Sequence, residues 1–357
     1  MTRKQALQYA GVVAGCLAIG VTAGWTALGD QIDNDAHDFL FRLHAGASPA
    51  AECVLVGIDE RTWATMGGVG RLRRTVAEAL EIALPADPVV VVIDLLLAGQ
   101  GEYPEDDARL EAALGRSRSV VLAASLTSRG WEEPYEPFAR RAAAIGHVQA
   151  DADPHDNVVR RVPLEKAHGR TRRWALALEA WRLSRGADIE ESPESLRAGP
   201  LEIPAAREQA RSMLIRFRLR GDGEFTLTHI SIEDLKNQRD LAQKLTGKVV
   251  FIGFTAQAQD RHWTPVSSGQ TMPGVEIHAN AYETLAGGRF LRPASDSAGL
   301  TFCMLLAVSA AATFYFLGGW PAYLAGAVVL AAGHFVPYTL FARDIVFPVT
   351  GPVASAW

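Results

Sequence analysis

Forty-five consecutive residues, Ala298–Ala342, contain no Asp, Glu, Lys or Arg. The same is true of Gln5–Leu28, and no such residue follows Asp344. A stretch of roughly 20 apolar residues is what a helix needs to cross the hydrocarbon core. Charge therefore divides this chain into apolar ends and a charged body. Without Arg3, Lys4, Arg343 and Asp344, the remainder holds 32 basic and 39 acidic residues. That distribution argues against a simple cytosolic enzyme. An acidic body without a basic stripe also makes nucleic acid a poor partner, because phosphate neutralisation needs clustered Lys and Arg.

Tyr9–Leu28 reads as a first membrane span. It contains two pairs of small residues, Gly11/Gly15 and Gly20/Gly24, which let a second helix approach closely. A cleaved signal peptide is the competing reading, with Val21-Thr22-Ala23 as its cleavage site, but the apolar stretch is long for one. Ala298–Ala342 is too long for one span and fits two, near Gly299–Leu317 and Pro321–Phe341. They are separated by Gly318-Gly319-Trp320-Pro321, since Gly and Pro punctuate helices. Ile345–Trp357 reads as the start of an incomplete further span. Arg3 and Lys4 precede the first span, and Asp30, Asp33, Asp35 and Asp38 follow it. The positive-inside rule then puts the N-terminus in the cytoplasm and the body outside. Arg289 and Arg292 argue weakly against this orientation. The expected division is 1–28, a cytoplasmic tip and span; 29–297, the outer domain; 298–342, two spans; and 343–357, the incomplete segment.

The body reads as α/β, a mostly parallel central sheet flanked by helices, with an inserted hairpin and transmembrane helices at both ends of the chain. Short runs rich in Val, Ile and Leu mark the strands: Val54–Ile58, Val89–Leu95, Val120–Ala124 and Val249–Ile252. Such runs suit strands buried on both faces. Helical patterns at Arg73–Leu84 and Asp106–Leu114 separate the first three and predict βαβ crossovers. Arg129–Pro137 reads as a surface loop. His147–Gln149 and Val158–Pro163 flank a turn-rich tip and predict a hairpin. Helices are expected at Trp174–Leu183 and Val275–Leu285, and strands at Leu201–Ile203 and Met213–Leu219. Thr26–Asn34 reads as a connection into the body.

No complete catalytic motif is present. Thr246-Gly247-Lys248 precedes its strand, whereas a phosphate-binding loop follows one. Met66-Gly67-Gly68-Val69-Gly70 lacks dinucleotide spacing. The three cysteines, Cys16, Cys53 and Cys303, form neither a disulfide framework nor a metal motif, and Cys53 reads as a small core residue. Ligand sites in parallel sheets lie beyond the carboxyl ends of the strands. Asp59, Glu60, Asp94, Asp260, His262, Thr264, Glu276 and His278 fall there. Asp59, Asp94, Asp260 and His278 could gather around a metal or cationic ligand. The plainer alternative is that these residues cap helices and turns. For Arg160-Arg161 the alternatives are an anion clamp and pairing with local aspartates. Neither a catalytic residue, a resident metal nor a cofactor is expected.

Five segments then resemble the type-two cyclase/histidine-kinase-associated sensory extracellular (CHASE) domain. They are VLVGIDERTWATMG, VVVVIDLLLAGQGEYPEDDARLEAAL, AAAIGHVQADADPHDNVVRRVPL, LTGKVVFIGFTAQAQDRHWTPVSS and MPGVEIHANAYETLAGGRFLRP. Together they span about Asp35 to Pro293. The chain departs from the family at Gly67-Gly68-Val69-Gly70-Arg71, usually a Trp-Pro-rich segment. It departs again at Asp156-Asn157, usually Asp-Gly, although Asn tolerates the left-handed turn. The resemblance implies a sensor in a bacterial inner membrane, with its domain in the periplasm or outside the cell. In the family this domain sits between one N-terminal span and usually three C-terminal spans, and a cytoplasmic cyclase or kinase follows. The expected partners are the membrane, a second copy through the transmembrane helices, and an unknown extracytoplasmic ligand or partner protein. The competing function is an accessory membrane protein that binds another subunit. A hydrolase using Asp59, Glu60, Asp260 and His278 lacks a nucleophile–base signature.

Overall fold

A computed structural model describes residues 3–44, 50–219, 225–267 and 269–356. The chain divides into two compact units. The first comprises residues 1–46, 154–156 and 291–357; the second comprises 47–153 and 157–290.

The second unit is built on a sheet of parallel strands. In chain order these are β1 (Cys53–Ile58), β2 (Val90–Asp94), β3 (Val120–Thr127), β4 (Ala144–His147), β5 (Thr228–Ser231) and β6 (Val249–Phe254). Their spatial order is β5-β1-β6-β2-β3-β4, and every neighbouring pair is parallel. The late strand β6 is thus inserted between β1 and β2. The first four runs expected from sequence match β1, β2, β3 and β6, because strands buried on both faces must be apolar at nearly every position. Val54, Val56, Ile58, Val91, Ile93, Val250 and Ile252 share one face, packed with Val76, Leu80, Leu110 and Leu114 of the helices Leu72–Ala83 and Pro104–Leu114. The helices Leu176–Arg185 and Gly274–Gly287 cover the other face, where the rings of Phe251 and Tyr282 meet at 6.1 Å. Burying a side chain of this size is worth about 1.5–3 kcal/mol, so these layers dominate the fold.

Four expectations need correction. The segment Arg129–Pro137 is not simply a surface loop. Gly130–Glu132 pairs antiparallel with β3, and the next short helix, Glu136–Ala139, puts Phe138 fully in the core. The segments flanking Asp151–Asn157 do not pair as a hairpin: β4 lies in the main sheet, and Arg161–Pro163 pairs with Ser212–Leu214. Only the bridge Ala152–Val159 closes that tip, with Asn157 at φ 60°. A true hairpin follows instead, Glu165–His168 against Thr171–Trp174. Met213–Leu219 is a strand only as far as Leu214.

In the first unit, three helices are long and apolar enough to cross a membrane: Leu7–Gly24 near the N-terminus, then Asp296–Phe316 and Trp320–Phe341. The fourth correction is here. The first span ends at Gly24 rather than Leu28, and the connecting segment Thr26–Asn34 opens an amphipathic helix, Ala27–Leu43, that buries His37, Asp38 and Phe41. Thr26 caps it, accepting a hydrogen bond from Gly29 N at 3.1 Å, as N-cap threonines do. The stretch after Asp344 forms a short strand, Ile345–Val346, and a helix, Thr350–Ala356.

Two sets of bonds hold the segment before that last helix. Arg292 N donates to Asp344 O and Ala294 N to Val346 O, both at 2.8 Å. Asp33 Oδ1 accepts from Val349 N at 2.8 Å, Thr350 N at 2.7 Å and Thr350 Oγ1 at 2.9 Å. The last helix also packs on the first span. A Cβ on Gly20 would fall 1.7 Å from Ser355 Oγ and 2.8 Å from Gly351 O, so only glycine permits this approach. Nothing lies within 4 Å of a Cβ placed on Gly11 or Gly15.

Candidate functional site

The eight candidate residues divide into structural fixtures and one polar cluster. Asp59 follows β1 and caps the helix Glu60–Thr65. Its Oδ1 accepts from Thr62 N at 2.9 Å, Thr62 Oγ1 at 2.8 Å and Ser231 Oγ at 2.9 Å. Burial raises the carboxyl pKa, but these bonds and the Arg61 charge outweigh it and hold the group below its ordinary value. Glu60 Oε1 accepts from Gln257 N at 2.6 Å. Thr264 closes a local turn with Ser267, whose Oγ lies 3.0 Å from Thr264 N. These residues pin loops at the sheet edge.

Glu276 is fully buried and also serves the fold. Its Oε1 accepts from Thr226 Oγ1 at 2.7 Å and also from Thr226 N. On the same helix face, Asn280 Oδ1 accepts from Arg218 N and Thr284 Oγ1 from Arg216 N, each at 2.9 Å. Side chains four residues apart lie on one helix face. Here they take the amides of an extended segment in place of a neighbouring strand. That is why Met213–Leu219 alternates like a strand yet leaves the ladder after Leu214. Elsewhere, Lys248 Nζ donates to Ala51 O at 2.7 Å, so Thr246-Gly247-Lys248 is a structural turn. Burial lowers the pKa of Arg161, and the Asp153 charge opposes that shift. Cys53 is buried, and burial pushes its thiol pKa well up.

The cluster lies at the carboxyl ends of β2 and β6. Asp94 ends β2 in register with Gly253 of β6. Strand alternation turns it away from the Val91/Ile93 face and toward the layer of the helix Gly274–Gly287. It is half-buried, and among the described residues no hydrogen bond reaches its carboxylate. Burial pushes its pKa up to about 6; His278 opposes the rise, Asp260 adds to it and His262 opposes it. His278, on that helix, is 3% exposed and its Nδ1 has no hydrogen-bond partner among the described residues. Asp260 and His262 are hydrogen-bonded at 2.9 Å. That bond lowers the Asp260 pKa and raises that of His262. The Asp260 carboxylate occupies the place a side chain would take at Gly274, with Oδ2 2.0 Å from a Cβ built there.

Sequence reasoning did not single out a further buried histidine, His147 at the end of β4, whose strand register puts it on the face of Leu122 and Ile93, opposite Asp94. It is fully buried, and its Nδ1 accepts from Gln149 N at 3.3 Å. The ring proton therefore sits on Nε2, which has no partner among the described residues. Burial drives its pKa down to about 3, helped by the charges of His278 and Lys166, so the ring is neutral. A histidine ending an apolar strand, in the Gly146-His147-Val148 triplet, was the available signal.

The structure thus brings Asp94, Asp260, His262 and His278 together and leaves Asp59 and Glu60 with other partners. Among the described residues, no three His, Cys, Asp or Glu side chains are disposed to hold one metal ion. A four-ligand cluster of Asp59, Asp94, Asp260 and His278 is therefore not formed. What the arrangement offers is a half-buried carboxylate, Asp94, at the end of β2, near the buried imidazole of His278 and the Asp260–His262 pair.

Comparison with known proteins gives one result. The family model of the CHASE2 domain matches residues 13–313, most of the chain. No curated protein matches, and no solved structure does. The match takes in the parallel sheet, its carboxyl-edge residues and the apolar helix on either side of them in sequence. The chain belongs to the CHASE2 family of extracellular sensor domains of signalling receptors.

Proposed function

We propose that this chain is the sensor and membrane module of a bacterial transmembrane receptor. The second unit lies outside the cytoplasm, in the periplasm or beyond the cell, and the chain crosses the inner membrane several times. It works by binding rather than catalysis and relays a stimulus to a cytoplasmic cyclase or kinase. A ligand that favours one of two arrangements of the domain would shift their populations and so move the attached helices. Two copies associate through the first span.

The observation that carries this reading is the CHASE2 match over residues 13–313, which runs from one apolar helix through the sheet domain into another. Fusions after Pro293 of the full chain test the orientation. Alkaline phosphatase should be active there, because it folds only outside the cytoplasm, and a cytosolic fluorescent reporter should be dark. The reverse pattern would overturn the receptor reading.

A further inference from the structure

We propose that the exposed apolar stripe of the helix Ala27–Leu43 is an interface between two copies of this chain, packed antiparallel along the membrane surface. One face of this helix buries His37 and Phe41 against Phe341, with ring centroids 5.6 and 6.2 Å from it. The side turned away carries Leu28, Ile32, Phe39 and Leu43, each between 44% and 66% exposed. At about 3.6 residues per turn, these four fall within about 60° of arc, opposite His37 and Phe41. Large apolar side chains gathered in one exposed stripe mark a contact surface.

The direction of the helix follows from what it touches. Its start abuts the end of the first span, where a Cβ on Gly29 would fall 2.0 Å from Ala23 O. Its middle reaches the start of the last helix, where Asp33 accepts from Val349 N and Thr350 N. Its end meets the end of the span Trp320–Phe341, with the His44 and Tyr338 rings 4.3 Å apart. It therefore lies across the ends of three helices, along the surface rather than upright. Two copies in one membrane face the same way, so a symmetric pair has its two-fold axis along the bilayer normal. Helices lying in the plane about such an axis run antiparallel.

The residues of the stripe suit that arrangement. With Phe39 set against the partner's Ala36, Ile32 falls against the partner's Leu43, and each contact occurs twice, as an isologous interface requires. A large side chain then meets a small one at the centre, which is how facing layers interdigitate. Asp35 and Arg42 are exposed along one flank. In the antiparallel pair Asp35 lies beside the partner's Arg42, whereas a parallel pair would set it beside the partner's Leu40. The bilayer surface suits the stripe less well. The helix holds four aspartates and one arginine, while helices that lie in the headgroup region are rich in Lys and Arg.

This deepens the receptor reading and rests on two copies sharing one membrane. It lies outside the first span, so its test reads it separately from any contact there. The test is disulfide cross-linking of the full chain in membranes, with the unaltered chain as control for Cys16, Cys53 and Cys303. Within one helix, positions 32 and 43 are about 16 Å apart along the axis, too far for a disulfide. Ile32→Cys with Leu43→Cys in one chain should therefore link copies, giving about tenfold more dimer than either single variant. Asp35→Arg in that chain should cut the linked dimer about three- to tenfold, and adding Arg42→Asp should restore it. Equal linking of the single variants would mean a parallel pair and overturn the proposal. Absence of links in the double variant would leave the stripe to lipid and overturn it too, as would a charge swap without rescue. Links that form while the reporter fusions reverse would spare the interface and sink the receptor reading. Missing links with active phosphatase after Pro293 would do the opposite.

Discussion

Asp94 is a carboxylate held where its charge is penalised. The unfolded chain titrates this group near 3.9, and the folded chain near 6. A raised folded pKa means that folding favours the protonated acid. The penalty is absent below pH 4, grows between pH 4 and 6 and is complete above it. Asp94→Asn should therefore raise the melting temperature at pH 8 by an amount worth up to about 3 kcal/mol. The gain should vanish at pH 4, and melting curves at the two pH values check it. A residue kept only to stabilise the fold would give the opposite sign. Asp59 shows the contrast: three bonds satisfy its Oδ1 and its pKa is lowered. Both aspartates end apolar strands, and sequence gave them the same reading. Only the partners tell them apart.

At the level of elements, the two glycine pairs of the first span part company. Gly20 and Gly24 lie against Gly351 and Ser355 of the last helix, while Gly11 and Gly15 face open space. Association of two copies through this span is therefore expected at Gly11 and Gly15, the pair nearer the N-terminus. Single cysteines at positions 11 and 15 of the full chain in membranes should cross-link between copies. Cysteines at 20 and 24 should not, and equal cross-linking at all four sites would refute this. The sequence made the apolar strands legible because a strand buried on both faces leaves no choice of residue type. It hid β5, Thr228–Ser231, because that edge strand is short and half polar. It hid the helix Ala27–Leu43 because four aspartates within and beside a buried stripe read as a solvated connection. His147 escaped because a lone histidine in a strand carries no spacing signal, and its burial shows only in the fold.

Over the whole molecule, the most distant parts of the sequence are fastened together at Asp33. One oxygen serves two amides and a hydroxyl at residues 349 and 350, where a negative charge also suits the start of a helix. Asp33→Ala should destabilise this contact by about 1–2 kcal/mol. Hydrogen exchange at the amides of Thr350–Ala356 in the full chain should then be faster than in the otherwise unaltered protein; unchanged protection would refute the role. The same short stretch, Asp344–Thr350, also receives the bonds from Arg292 and Ala294. The polypeptide leading toward the sheet and the one returning from it thus both bond to the same seven residues, Asp344–Thr350. Such a junction registers the difference between its two inputs. A displacement shared by both would leave these bonds intact, while a twist of either against the other would strain them.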